Sequence, residues 1–252
     1  MTNLASEWFT DEGFWEALSP FIFPDTARAA AVADVEAIGS LVGRPVESVL
    51  DLCCGPGRHS VAFAKQGSRV TAVDRSPFLL DRGRQYAAAE RVDIRWVQED
   101  MRAFIEPAGF DLAVNLFTSF GYFEDPAENQ RVLANVSASL VPGGAFMLDV
   151  IGKEVVARIY QPSRVQEGPD GALLVMRGKV VDDWSRIENE WFVVRDGTVR
   201  SYRFAHWLYS AAELRGMFKE AGFARIDVFG GLDGSSYGAE ASRLIVRAYN
   251  PG

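Results

Sequence analysis

Cysteine and histidine are scarce in this chain. Of its 252 residues, 2 are cysteine and 2 are histidine. The two cysteines, Cys53 and Cys54, are adjacent and too close for an ordinary structural disulfide. Neither they nor the histidines, His59 and His206, show the spacing of metal ligands. We therefore expect no disulfide framework and no metal site, and we expect the protein to act in the reducing cytoplasm.

Long apolar runs and an excess of positive charge are also missing. No apolar run approaches the roughly 20 residues of a membrane-spanning helix, and the N-terminus lacks a charged-then-apolar signal. The 26 Lys and Arg residues against 34 Asp and Glu residues give a net charge of −8. An acidic surface repels phosphate backbones, so nucleic acid is an unlikely partner. The expected partner is a small molecule, bound by a monomer or homodimer without membrane attachment.

The segment from Val49 to Arg58 is the most informative stretch of the chain. It reads as an apolar strand containing Asp51, then a turn with Gly55 and Gly57, then the start of a helix. A strand, a glycine-rich turn and a helix together form a cradle for nucleotide-like ligands at the carboxyl end of a parallel strand. The two glycines allow the backbone to approach such a ligand closely.

Strands and helices alternate along the first 150 residues, which predicts an α/β fold with a parallel sheet. From about Gly171 to Leu208 the pattern changes to three strand-like stretches, with the hairpin signal Asp196-Gly197 between the last two. These stretches predict a small antiparallel insertion. We divide the chain into an aromatic lid segment (1–43), a ligand-binding core (44–152), a β cap (153–209) and the end of the core (210–252).

Carboxylates at strand ends help to identify the ligand. Asp51 lies in the first strand, Asp74 ends the second, and Asp100 follows the third. Three acidic groups would repel a pyrophosphate but suit a cationic, amino-acid-bearing nucleoside. Position 60, where a nicotinamide-binding pattern requires a third glycine, is Ser60. Hydride transfer with a nicotinamide cofactor is therefore disfavoured.

Five motifs occur in order: Asp-Leu-Cys-Cys-Gly-Pro-Gly-Arg, Val-Asp-Arg-Ser-Pro, Glu-Asp-Met, Phe-Asp-Leu-Ala-Val-Asn and Val-Pro-Gly-Gly. This series resembles the class I S-adenosylmethionine-dependent methyltransferases, closely over residues 48–150 and loosely over the terminal helix and strands. The resemblance implies a Rossmann-like seven-stranded sheet whose last strand is antiparallel, here with the inserted antiparallel β cap. It also implies S-adenosylmethionine as cofactor and S-adenosylhomocysteine as product.

The same resemblance assigns residues to the cofactor. Gly55 and Gly57 would approach its methionine part, Asp74 would hold the ribose, and Asp100 and Met101 would contact the adenine. Asn115, after the fourth strand, would lie near the reacting end. Arg58 would pair with the cofactor carboxylate, with a surface role as the alternative. The predicted cofactor-binding set is Asp51, Cys53, Gly55, Gly57, Arg58, Asp74, Arg75, Asp100, Met101 and Asn115.

The acceptor is less well defined. The Asn-Pro-Pro-Tyr turn of exocyclic-amine methyltransferases is absent, since Asn115-Leu116-Phe117-Thr118 stands there. The expected reaction is an in-line methyl transfer to N or O of a small molecule. His206 is the candidate base, with a structural histidine as the alternative, and Tyr122 is the second catalytic candidate. The predicted acceptor-binding set is Trp15, Phe117, Tyr122, His206, Tyr209 and Tyr237. The competing hypotheses are an RNA or protein methyltransferase and a non-catalytic cofactor-binding protein.

Overall fold

The computed structural model describes residues 7–168 and 171–252, which contain a seven-stranded and a four-stranded sheet. The seven-stranded sheet has strands β1 (Ser48–Leu52), β2 (Arg69–Asp74), β3 (Arg95–Gln98), β4 (Phe110–Asn115), β5 (Leu140–Val150), β10 (Arg225–Phe229) and β11 (Leu244–Tyr249). Their order is β10-β11-β5-β4-β1-β2-β3, and β11 runs antiparallel to both of its neighbours. The fold class predicted from the sequence is confirmed, including the antiparallel last strand.

Helices cover both faces of this sheet because its strands alternate apolar side chains between the faces. Val49 packs with helices α2 (Thr26–Val42), α3 (Arg58–Lys65) and α4 (Pro77–Glu90). Leu50, its neighbour, packs on the other face with α5 (Pro126–Ser139) and α7 (Ala211–Glu220). Among the described helices, none is long and apolar enough to cross a membrane.

Strand β5 differs from the sequence prediction. The sequence Pro142-Gly143-Gly144 predicts a turn, with the strand beginning at Ala145. The strand instead begins at Leu140, which pairs with Phe110 of β4 before the register shifts. The next paired residue is Ala145, opposite Leu112, and Gly143 between these pairs has a φ of 72°. The Pro-Gly-Gly segment therefore forms a bulge within β5 and keeps its local turn preference.

The second sheet is the antiparallel insertion and stands apart from the central sheet. Its strands are β6 (Ser163–Glu167), β7 (Leu173–Val181), β8 (Arg186–Arg195) and β9 (Thr198–Trp207), in that order. The last three lie within one residue of the stretches 172–181, 187–195 and 199–208, which the sequence pattern predicts as strands. The sequence analysis missed β6, whose side chains are all exposed, and the short helix α6 (Lys153–Ile159) before it. Without a buried face, β6 has no alternating pattern to detect.

The aromatic N-terminal segment packs mainly on this insertion. It forms a 3-10 turn (Trp8–Thr10) and helix α1 (Glu12–Ile22), whose first amide groups are capped by Asp11. Phe14, Leu18 and Phe21 form an apolar cluster with cap residues such as Leu174 and Phe204. The aromatic density of this segment predicts a strap on the main core or a lid over the ligand, and the two are compatible. In the structure the segment bridges core and cap, because Glu12 also accepts hydrogen bonds from Ser76 and Phe78 at the start of α4.

Candidate functional site

The loop after β1 has an unusual backbone that the surrounding residues hold in place. Cys53, Gly55 and Gly57 all have positive φ angles, of 62°, 57° and 74°. A Cβ on Gly57 would lie 2.5 Å from the Trp96 ring, and one on Gly55 would lie 3.3 Å from the Phe23 ring. Both positions therefore need glycine for conformation and for space. The Trp96 and Phe23 rings therefore pack directly against the backbone of this loop.

Asp51 is buried inside β1 and has one side-chain donor. The Ser60 hydroxyl, on the first turn of α3, donates to its Oδ2 at 2.5 Å. Burial raises the pKa of Asp51 above its ordinary value, and nearby His59 and the Ser60 hydrogen bond oppose that effect. Ser60, which in the sequence counted only as a missing glycine, thus stabilises the carboxylate next to the loop.

Asp74 ends β2 and binds backbone amides of two loops. It accepts hydrogen bonds from Gly55 N at 2.8 Å and from Ser76 N at 2.9 Å. Burial raises its pKa to about 6, although these two amides favour the ionised form. The Asp74 carboxylate therefore joins the glycine loop to the start of α4.

Asp100, after β3, belongs to an ion-pair network. Arg75 Nη1 and Arg102 Nη2 donate to it at 2.8 and 2.7 Å, and Arg102 also binds Glu7 at 2.9 Å. Partial burial raises the pKa of Asp100, but the Arg102 and Arg75 contacts outweigh it and leave the pKa below its ordinary value. This network ties the N-terminal segment to the strand ends.

A cavity of about 480 Å³ connects these strand ends with the inner face of the cap. Most of the predicted cofactor-binding residues contribute to its wall: Asp51, Cys53, Gly55, Arg58, Asp74, Arg75, Asp100 and Met101. Trp15, Phe117, Tyr122 and His206 of the acceptor-binding set also line it. Burial raises the pKa of the Cys53 thiol well above its ordinary value, so the thiol is not a nucleophile at neutral pH.

Four predicted residues lie outside this wall. Gly57 faces Trp96, and fully buried Asn115 donates from Nδ2 to the Leu52 carbonyl at 3.1 Å. Tyr209 packs against Phe120 at a ring distance of 5.7 Å. Tyr237 donates its hydroxyl to Glu154 at 2.8 Å. Neighbours within the protein thus occupy the space beside Gly57 and the Tyr237 hydroxyl, whereas Asn115 Oδ1 and the Tyr209 hydroxyl are buried without a hydrogen-bond partner among the described residues.

The cap supplies the polar corner of the cavity. Ile187, Asn189 and Trp191 of β8 line it together with Phe204 and His206 of β9, as expected for alternate residues of paired strands. Burial lowers the pKa of His206 to about 4 and raises that of Tyr122 to about 12. At neutral pH both groups are therefore uncharged. The sequence analysis missed Asn189, which only its inward register on β8 could have indicated.

Two arginines surround Phe117 at the end of β4. The Arg58 guanidinium lies 4.6 Å from the ring centroid and that of Arg243 lies 5.9 Å away. Arg243 also donates to Asp149 at 2.6 Å and to Thr118 Oγ1 at 2.9 Å. By contrast, Arg58 donates only a long bond of 3.4 Å, to the Ala27 carbonyl, within the part of the chain that the structure describes. Arg58 thus retains donors for an anionic ligand group, whereas Arg243, which the sequence analysis missed, is already paired.

Comparison with known proteins identifies the family. The sequence profile described as "Methyltransferase domain" matches residues 49–144. The cypemycin N-terminal methyltransferase of Streptomyces sp is 30% identical over 223 residues, covering 86% of this chain and 88% of that protein. The chain belongs to the methyltransferase family. In this chain the matched residues extend from β1 to the start of β5 and include the glycine loop and the three carboxylates.

Other similarities are shorter or confined to the fold. The ubiquinone biosynthesis O-methyltransferase of Coxiella burnetii (strain RSA 493 / Nine Mile phase I) is 32% identical over 160 residues. That match spans only 63% of the relative's length and 63% of this chain. An S-adenosylmethionine-dependent methyltransferase structure from Clostridium acetobutylicum ATCC 824 superposes with a TM-score of 0.80 at 16% identity. This superposition covers 96% of this chain and 99% of the other, so the shared fold includes the cap.

Proposed function

We propose that the protein transfers the methyl group of S-adenosylmethionine to a nitrogen or oxygen atom of a small-molecule acceptor. The observation that supports this proposal most is one continuous cavity, which runs from the carboxylates at the strand ends to the aromatic inner face of the cap. One end suits a cationic nucleoside and the other an organic acceptor. The membership in the methyltransferase family supports this interpretation. The cysteine content supports action in the cytoplasm.

The residues at the strand ends fit the proposed cofactor. Asp74, Asp100 and Met101 all line the cavity. Asp74 would accept hydrogen bonds from ribose hydroxyls, and Met101 and Asp100 would contact the adenine ring. Gly55 lines the cavity and would face the methionine part. Arg58 has donors for a carboxylate. When bound, the cofactor supplies an electrophilic methyl group on a sulfonium.

The contribution of the protein is alignment and exclusion of water. The 3-10 turn and α1 close one side of the cavity. Glu7 accepts a hydrogen bond from Arg102 and Glu12 accepts one from Ser76, and these contacts fix the segment on the core. Trp8, Trp15, Trp191 and Phe204 give the acceptor end apolar walls. Tyr122 and His206 provide polar atoms there. An acceptor held between these walls would meet the cofactor end of the cavity at Phe117, where β4 ends.

Calorimetric titration tests the cofactor assignment first. We expect micromolar binding of S-adenosylmethionine and of S-adenosylhomocysteine, and no heat with NAD. Mass spectrometry of candidate metabolites incubated with protein and cofactor would then detect a gain of one methyl group. Binding of NAD alone would contradict the assignment. Cofactor binding without transfer to any metabolite would favour the non-catalytic hypothesis.

A peptide amino terminus is the second candidate acceptor. The name of the 30% identical relative, an N-terminal methyltransferase, favours it. The composition of the cavity opposes it, because the acidic residues among its described lining are Asp51, Asp74 and Asp100, all at the cofactor end. An ammonium group at the cap end would therefore be desolvated without a counter-charge. Methylation of a short peptide in preference to small metabolites would establish this alternative.

A further inference from the structure

The cap holds a hydrogen-bonded pair that the sequence did not reveal. Ile187 pairs with His206 and Asn189 pairs with Phe204 across β8 and β9, so Asn189 and His206 lie diagonally on the inner face. Asn189 Nδ2 lies 3.3 Å from His206 Nδ1. Asn189 is only 9% exposed, and a buried polar side chain of this kind costs stability unless it is paired.

The orientation of the Asn189 amide determines where the imidazole carries its proton. Asn189 Nδ2 also points at the Ile187 carbonyl, at 3.5 Å. Reversing the amide would place its oxygen against that carbonyl, so the nitrogen belongs on this side. An NH₂ group donates only, and Nδ1 must therefore be the unprotonated nitrogen. In a neutral imidazole the proton is then on Nε2.

Among the described residues that line the cavity, the carboxylates are Asp51, Asp74 and Asp100 at the strand ends, so none lines its cap end. The cap residues Arg164 and Arg177, which also line the cavity, are cationic and disfavour an imidazolium. Tyr122, at a ring distance of 5.1 Å, is the titratable neighbour on the cavity side. The charged residues of β8 alternate onto the outer face, where Arg186 lies over Trp207 and Glu190 binds Arg203. On the cavity side Arg243 is paired with Asp149. The pKa of His206, lowered by burial to about 4, agrees with this geometry.

We propose that Asn189 is a positioning residue that fixes the uncharged imidazole of His206 with its proton on Nε2, pointing into the cavity. His206 then gives a hydrogen bond to the acceptor and does not remove a proton from it. The cap end of the cavity consequently suits an acceptor with a carbonyl, carboxylate or hydroxyl oxygen near Tyr122 and His206. Its nucleophilic atom must have a lone pair without help from a base. This role rests on the proposed function, whereas the tautomer itself does not.

Nitrogen-15 NMR of histidine-labelled protein tests the tautomer directly. The chain has only 2 histidines, and His206→Gln identifies the signals of His206 by their loss. We expect one unprotonated ring nitrogen, assigned to Nδ1 by its couplings to the ring protons. The signal of the protonated Nε2 should persist from about pH 8 to about pH 5. A proton on Nδ1, or titration near the ordinary histidine pKa, would overturn the proposal.

Two variants of Asn189 separate positioning from simple packing. In Asn189→Asp the carboxylate accepts from Nδ1–H, so the proton should move to Nδ1 and the pKa of His206 should rise by roughly 1–3 units. In Asn189→Leu the imidazole should populate both tautomers while the fold is kept. Unchanged His206 signals in both folded variants would overturn the role of Asn189. Cofactor titration of the same samples shows independently whether the proposed function fails.

Discussion

At the scale of single residues, the ionisation of Asp74 should control cofactor binding. Its raised pKa of about 6 means that the carboxylate takes up a proton as the pH falls through that value. A protonated carboxyl group accepts hydrogen bonds from ribose hydroxyls poorly. Affinity for S-adenosylmethionine should therefore be full above the folded pKa and fall about tenfold by about pH 5. Calorimetric titration at a series of pH values measures this.

The matched control is Asp74→Asn, which keeps the shape but cannot ionise. Its affinity should be lower at neutral pH, by roughly 1–3 kcal/mol, because the charge-assisted hydrogen bonds are lost. Its affinity should also be independent of pH over the same range. A variant with the pH dependence of the native protein would show that another group titrates.

The Asp51–Ser60 contact gives a second prediction at this scale. Ser60→Ala leaves the buried Asp51 carboxylate without its side-chain donor, so the free energy of unfolding should fall by about 1–3 kcal/mol. Ser40→Ala is the control, because Ser40 is an exposed helix residue that bonds only its own helix backbone. That change should be neutral or slightly stabilising. Urea denaturation of both variants measures the difference, and equal stabilities would contradict the role of Ser60.

At the scale of secondary-structure elements, Trp96 of β3 holds α4 and the glycine loop together. A Cβ on Gly83, in the middle of α4, would lie 2.6 Å from the Trp96 ring. Gly-to-Ala substitution inside a helix normally stabilises by about 0.5–1 kcal/mol. Here the clash should reverse the sign, so that Gly83→Ala lowers the thermal midpoint.

The control is Gly39→Ala in α2, where a Cβ would meet nothing within 4 Å. The free energy of unfolding of that variant should exceed that of the native protein by about 0.5–1 kcal/mol. Trp96→Leu, which removes the ring, should make Gly83→Ala tolerated in the double variant. If Gly83→Ala were as stabilising as Gly39→Ala, the close packing of α4 on β3 would be wrong.

The sequence predicted these elements better than their contacts. The apolar run before Gly55 and the carboxylates of Asp51 and Asp74 made β1, β2 and the loop predictable, because those signals are local. Trp96 and Arg243 gave no signal, since their partners lie far away along the chain and depend on the completed sheet. The same reason explains Tyr209 and Tyr237, which the sequence predicts as acceptor-binding residues, because their neighbours Phe120 and Glu154 lie far away along the chain.

At the scale of the whole molecule, α1 and the cap form one apolar unit over the cavity. Phe14 is 2% exposed and contacts Trp8, Tyr202 and Phe204 in this unit. Phe14→Ala should lower the free energy of unfolding of this unit by about 3–5 kcal/mol. Hydrogen exchange should then speed up in α1 and β9 together, while β1 and β4 keep their protection. Val32→Ala, at an exposed position on α2, should change neither region. Loosening of β1 as well would show that cap and core unfold as one unit.

The two ends of the cap insertion meet each other. Lys153 N, where the chain leaves the core, donates to the Tyr209 carbonyl, where it returns, at 2.8 Å. The whole excursion therefore begins and ends at one point beside the sheet. Such a closed insertion can be exchanged by recombination without moving the strands that carry Asp51 and Asp74. We expect a cap transplanted from a relative at these two residues to fold on this core and to leave the affinity for S-adenosylmethionine unchanged.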